Sequence, residues 1–261
     1  MNGKDRIRAA GVSYTYLTRS GETLALKGLD LTVRDGEFCS IVGPSGCGKS
    51  TLLGLVSGLL QPTEGGIFLD GSPVRGPNQR IGILLQKDSL FEWRTVLQNA
   101  ELGLEILGKS TREARRQAHL LLESYGLAGF ENAYPHQLSG GMRQRVALVR
   151  TLATDPDILL LDEPFSALDY QTKLILERDV QRIIRASRKT ALLVTHDIEE
   201  AVSMSDRVIV LSGRPAQVKN IYDIDLSLSG ERTPMTSRDA PEFRGYCKAI
   251  WEDLDIERRQ L

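Results

Sequence analysis

Cysteine is scarce in this sequence, and the little there is does not pair. Cys39, Cys47 and Cys247 are an odd, scattered set. Without a C-x-x-C spacing they support neither a disulfide framework nor a zinc site. They fit a reducing compartment. An excess of one charge is also missing: 33 Lys and Arg stand against 34 Asp and Glu, a net charge of -1. A general nucleic-acid binder would carry a basic surplus, so no nucleic-acid partner is expected. Long apolar runs are absent too. TLLGLVSGLL, at residues 51–60, falls well short of the roughly 20 residues that a membrane span needs. The start, MNGKDRIRAAG, has no apolar core and is not a secretory signal. A role at a membrane would therefore depend on a partner. There is no internal repeat and no low-complexity tract.

What is present is ordinary globular material, 41% hydrophobic and 26% charged, in a length that suits one large domain. Leu29, Leu31 and Val33 alternate with polar residues, as in a half-buried strand. FCSIV (38–42) is a short apolar strand, and STLLGLVSGLL after residue 49 reads as a buried helix stopped by Pro62. RIGILL (80–85), ILLL (158–161) and TALLVT (190–195) fit central parallel strands. Between them lies a helical block. TVLQ (95–98) and STRE (110–113) read as capping boxes, with Thr95 and Ser110 as caps. Val96, Ala100, Leu104 and Leu107 share one face, and Ala114, Ala118, Leu121, Leu122 and Tyr125 mark a second amphipathic helix. RVIVLS followed by Gly213 and Arg214 predicts a final hairpin. LSGERTPMTSRDAP reads as a linker, and EFRGYCKAIWEDL as a last helix. Strands alternating with helices argue for an α/β fold with a mainly parallel sheet. The β-rich start makes an antiparallel N-terminal subdomain, and about 87–152 an inserted α-helical subdomain. The main domain would span 1–228, with linker and C-terminal helix at 229–261.

GPSGCGKS (43–50) fits G-x-x-x-x-G-K-[ST] in full, between a strand and a helix. Across Gly43, Pro44, Ser45, Gly46, Cys47 and Gly48 the glycines let backbone N–H groups turn inward around the phosphates. The following helix, entered through Ser50 and Thr51, adds its positive end. Lys49 reaches the β- and γ-phosphates and Ser50 offers a hydroxyl to magnesium. Cys47 reads as a small side chain filling a slot rather than a redox group. ILLLDEP (158–164) is a buried strand ending in two carboxylates at the ligand edge of a parallel sheet. Asp162 would help hold magnesium, and Glu163 would polarise a water beside the γ-phosphate.

His196 follows the next apolar strand, at the same sheet edge, and can contact a γ-phosphate there. Gln86 follows RIGILL in the same way: it either touches magnesium or the attacking water, or caps a turn. His119 and His136 have no such context and read as surface or packing residues. LSGGMRQR (138–145) is a second glycine-rich turn opening a second helix. Ser139, Gly140 and Gly141 form an anion site from N–H groups and the helix dipole. With no lysine and no magnesium-binding serine, this stretch is either a plain capped helix or half of a site completed elsewhere.

Together these motifs resemble the ATP-binding subunits of ABC transporters over about residues 5–225. The resemblance identifies Walker A at 43–50, the signature LSGGM at 138–142, Walker B at 158–162 and a D-loop SALD at 166–169. Gln86 matches the Q-loop glutamine and His196 the switch histidine. Tyr16 stands where that family stacks an aromatic on adenine, with Tyr14 the other candidate. The resemblance implies the ABC ATPase fold, ATP and Mg2+ as cofactors, and a head-to-tail homodimer with each ATP between Walker A and the partner's LSGGM. It makes Glu163 the catalytic base or the water-positioning residue, and His196 the γ-phosphate sensor. It assigns Ser50, Gln86 and Asp162 to the metal, and Asp169 to signalling across the interface. A membrane permease would dock near Gln86, Leu90, Phe91 and Trp93, fed by an extracytoplasmic binding protein. The ATPase would thus be peripheral on the cytoplasmic face of the inner membrane, and soluble when isolated. SPVRGPNQR, GRPAQV and PEFRGYCKAIWEDL are similar to importers of the nitrate, sulfonate and taurine type. A soluble ABC ATPase outside transport and an exporter ATPase are the alternatives. Sulfonates, nitrate, taurine and thiamine-precursor pyrimidines are all open as solutes.

Overall fold

The computed structural model of the chain describes residues 4–18, 21–166, 168–228 and 230–255. Ala167 of the SALD stretch lies outside the described residues, as do residues 1–3, Ser229 and 256–261 of the terminal segments. Two compact units are present, one formed by Met1–Asn78 with Val180–Leu261 and one by Gln79–Asp179.

The first unit opens with β1 (Asp5–Thr18), β2 (Gly21–Arg34), β3 (Phe38–Val42), α1 (Lys49–Val56), β4 (Glu64–Leu69) and β5 (Ser72–Pro73). The second holds β6 (Ile81–Leu84), α2 (Val96–Ile106), α3 (Arg112–Ser124), a 3-10 turn at Pro135–Gln137, α4 (Gly140–Leu152) and β7 (Ile158–Asp162). It also holds the start of α5 (Tyr170–Ala186). The first unit then resumes with β8 (Thr190–Val194), α6 (Ile198–Met204), β9 (Arg207–Leu211), β10 (Val218–Asp223), α7 (Pro234–Asp239) and α8 (Phe243–Asp255).

In the first unit an antiparallel sheet runs β2-β1-β4-β5. Leu29, Leu31 and Val33 of β2 are its buried alternate residues. The second sheet of this unit has β3 at its centre, parallel to β8 and β9, with β10 antiparallel on β9. Every residue of β3, β8 and β9 is buried, which is why these strands read as unbroken apolar runs rather than alternating ones. In the second unit β6 and β7 pair in parallel. The stripes predicted for its helices face inward there: Val96, Ala100 and Leu104 of α2, Ala118 and Leu122 of α3, and Val146, Val149 and Leu152 of α4.

Three expectations are corrected. The helix after Lys49 does not run to Pro62; α1 ends at Val56, capped through Ser57. Gly58 (φ 79) then reverses the chain, a backbone that an L side chain resists. The second capping box is displaced by one residue: Thr111, not Ser110, accepts the Ala114 N–H at 3.1 Å. With Ala114 at the third position, no side chain reaches back. The first box stands as read, Thr95 and Gln98 exchanging bonds of 3.2 and 2.9 Å. The stretch read as a linker contains α7, started by Thr233 and by Pro234 at its first turn. Ala240, Phe243 and Ile250 from α7–α8 and their junction are buried with Val42, Val202, Val208 and Val210. The C-terminal helices thus complete the core of the first unit.

Candidate functional site

The first unit builds a phosphate cradle from residues 43–51. Gly48 sits at φ 129, and a Cβ there would lie 2.8 Å from Leu26 Cδ2 and 3.2 Å from the Ala25 carbonyl. Only glycine lets the loop press against β2 and enter α1 at that angle. Lys49 is buried, its ammonium donating to the Gly43 and Pro44 carbonyls at 2.8 and 3.0 Å. Cys47 is 1% exposed, and its sulfur packs where a Cβ on Gly43 would come within 2.9 Å. Ser45, Gly46 and Ser50 face outward, while Thr51 is buried.

Tyr16 stands beside this loop, its hydroxyl 2.9 Å from Thr51 Oγ1. Its ring is 38% exposed and edge-on to Tyr14 at 4.9 Å. An aromatic tied to the start of the phosphate helix offers a face to a base. His196 is exposed, two residues past the end of β8. The neighbouring Asp197 caps α6 by accepting the Glu200 N–H at 3.1 Å.

The second unit gathers Gln86, Asp162, Glu163, Asp169 and the 138–142 stretch. Asp162 is the last residue of β7 and Glu163 the next one. Glu163 adopts φ 45. A left-handed backbone on a non-glycine residue, here directly before a proline, costs roughly 1–3 kcal/mol and persists where it serves a site. Gln86 is exposed beyond β6, and its amide donates to Glu163 Oε2 at 3.4 Å and to Ser166 Oγ at 3.3 Å. Asp169 accepts the Thr172 N–H at 3.0 Å, capping α5, and this bond holds its carboxyl below the ordinary range.

Ser139 caps α4, accepting the Met142 N–H at 3.3 Å. Gly140 opens onto free space, with nothing within 4 Å of an added Cβ. Gly141 is the opposite, since a Cβ there would lie 2.7 Å from Thr172 Cγ2. Gly141→Ala should therefore push α4 off α5 and lower the melting temperature by a few degrees, whereas Gly140→Ala should leave it unchanged; thermal unfolding of both distinguishes them. A cavity of about 400 Å³ lies between Gly140 and Gln86, lined also by Arg143, Gln144, Pro164 and Leu168.

Two arginines had not been singled out in the sequence. Arg143 donates to Asp88 at 2.8 and 3.2 Å and to Glu92 at 2.8 Å. Arg150 donates to the Asp88 and Ser89 carbonyls at 2.7 and 2.8 Å. Burial pushes the Asp88 carboxyl up, but Arg143 and the Leu90 N–H hold it below its usual range. The segment after Gln86 is thereby clamped to α4. The signal was available: residues seven apart on a helix share a face. Beyond the clamp, Leu90 is 7% exposed, so it belongs to local packing and not to a partner surface. Trp93 is 73% exposed and stacks on Phe91 at 4.8 Å.

A family model described as ABC transporter matches residues 26–166 of this chain. The chain is 45% identical over 253 residues to YtlC of Bacillus subtilis, an uncharacterised ABC transporter ATP-binding protein, covering 95% of this chain and 96% of that one. It is 44% identical over 239 residues to the nitrate import ATP-binding protein NrtD of Synechocystis sp., covering 90% of each. Among solved structures it is similar to the dimeric post-hydrolysis state of the ATP-binding cassette MJ0796 bound to ADP and Pi. There the TM-score is 0.74 at 34% identity, over 84% of this chain and 99% of that one.

Proposed function

This chain belongs to the ABC transporter family as one of its ATP-binding cassettes, which are ATPases, and from that premise we propose that it powers a solute importer as a head-to-tail homodimer. The observation that carries the dimer is the pair of unlike helix starts. α1 begins at a loop with a buried lysine. α4 begins at Ser139, with an open Gly140 and no lysine in its turn. A helix start without a cation binds an anion weakly alone, but adds donors to a phosphate already held by another subunit.

In this reading residues 43–51 bind the phosphates of ATP and Tyr16 stacks on adenine. Ser139, Gly140 and Gly141 reach the γ-phosphate of the partner subunit's ATP, and Asp169 communicates across that interface. Glu163 takes the proton of the attacking water, Gln86 orients the Glu163 carboxylate, and His196 senses the γ-phosphate. In this reading Ser50 would offer a hydroxyl, Asp162 a carboxylate and Gln86 an amide oxygen to Mg2+, each a hard oxygen donor of the kind that ion takes. Mg2+ would neutralise charge on the phosphates. Closure then depends on the γ-phosphate, because only ATP gives the closed state a differential affinity.

The partner is an integral membrane permease, docking on the Phe91–Trp93 stack. An exposed Trp93 stacked on Phe91, in a loop clamped to the signature helix, can carry a push from docking to α4. Among the described residues no helix is long and apolar enough to cross a membrane, so attachment to the cytoplasmic face would rest on that partner. The relative named for nitrate import favours a small anionic solute, delivered by an extracytoplasmic binding protein. Affinity capture of the tagged chain from detergent-solubilised membranes tests the role. A co-purifying permease, lost on Trp93→Asp, is expected. Capture that recovers no integral membrane protein would overturn the transport reading.

A further inference from the structure

We infer that Arg214 is a positioning residue for ATP binding, holding the phosphate loop in its receptive shape from outside the site. The inference rests on the reading of residues 43–51 as the ATP phosphate loop. The Arg214 guanidinium donates to the Gly46 carbonyl at 2.6 Å. A charge-assisted bond of that length is among the stronger ones available to a loop. Gly46 is the exposed apex of the loop and sits at φ 73.

The side chain is aimed by a braced turn. Ser212 N–H donates to the Gln217 carbonyl at 2.9 Å, and Gln217 N–H to Ser212 Oγ at 3.0 Å, closing the β9–β10 connection. Ala216 then exchanges backbone bonds with β2: its N–H donates to Ala25 at 2.8 Å and its carbonyl accepts from Lys27 at 3.1 Å. The loop leans on the same frame, since Gly48 presses on Leu26 and Ala25, and Gly43 on Leu211. Arg214 is therefore fixed relative to the two strands that support the loop.

The consequence follows from peptide planarity. Turning the Gly46 carbonyl outward to Arg214 sends the Cys47 N–H to the opposite side, where it closes the turn onto the Pro44 carbonyl at 3.2 Å. Lys49 meanwhile holds the Gly43 and Pro44 carbonyls. Carbonyls repel phosphate, so a loop that keeps them tethered to cations is preorganised for an anion. Without Arg214 the apex must be ordered when ATP binds, and that cost appears in affinity.

Arg214→Met, Arg214→Lys and Lys49→Ala would be compared by titration with a fluorescent ATP analogue, alongside steady-state ATPase kinetics and thermal unfolding. Arg214 is exposed, so the melting temperature should hold. Arg214→Met should raise Kd and KM for ATP about three- to tenfold, the worth of one charge-assisted bond at a solvent-facing edge, with kcat within about twofold. Arg214→Lys, which keeps a cationic donor, should recover much of the affinity; a lysine variant as weak as the methionine one would count against the bond to Gly46. Unchanged Kd in Arg214→Met, with Lys49→Ala clearly weakened, would overturn the role of Arg214 alone. An unweakened Lys49→Ala would overturn the phosphate-loop reading beneath it.

Discussion

Glu163→Gln is expected to hydrolyse ATP about 10²- to 10⁴-fold more slowly than the native chain, the usual worth of a general base, and to accumulate as an ATP-bound dimer. The substitution keeps the shape of the side chain and removes its basicity. The Gln86 amide, which donates to Glu163 Oε2 at 3.4 Å, still finds an acceptor in the new carboxamide. The left-handed backbone at φ 45 is no harder for glutamine than for glutamate, so stability should not change. ATP is then bound and closure proceeds, but the step that reopens the dimer is lost. Single-turnover hydrolysis and gel filtration with ATP read both effects. A Glu163→Gln chain that turned over ATP at the native rate would remove Glu163 from the chemistry.

Ser139→Arg should separate nucleotide binding from hydrolysis. Ser139 is exposed and its hydroxyl accepts the Met142 N–H of its own helix. Losing that cap costs about 1 kcal/mol, which the fold tolerates. The arginine, however, fills the open approach at Gly140 with a long side chain. The monomer should bind ATP within about twofold of native affinity, because its own cradle at 43–51 is untouched, while hydrolysis falls by 10² or more as the interface fails to close. Ser139→Ala, which removes the cap without the bulk, should be much milder. Loss of monomer ATP affinity in Ser139→Arg would place the 138–142 stretch in the wrong site.

Much of this was legible because the chemistry demands particular residue types. A phosphate loop needs glycines where the backbone must turn and press close, and Gly48 against β2 shows why. The acids of ILLLDEP stood out because four buried residues precede them. Other features are set by choices that local rules leave open. Ser110 and Thr111 are adjacent, equally good caps, and the chain used the second. The end of α1 lay hidden in an apolar run, where Gly58 looked like one small residue among many. The start of α7 did carry its signal in Thr233 and Pro234, masked by the polar stretch around it. Arg143, Arg150 and Arg214 act through distant backbone carbonyls and carboxylates; the seven-residue spacing of the first two gives their shared helix face but not the partners they meet. The solute leaves no trace here because, in the proposed scheme, other polypeptides bind it.

Sedimentation of the Glu163→Gln chain and of the Glu163→Gln, Ser139→Arg double variant, each with saturating ATP and Mg2+, tests the composite site most directly. The account predicts a dimer for the single variant and an ATP-loaded monomer for the double one. A double variant that still dimerises on ATP would contradict it.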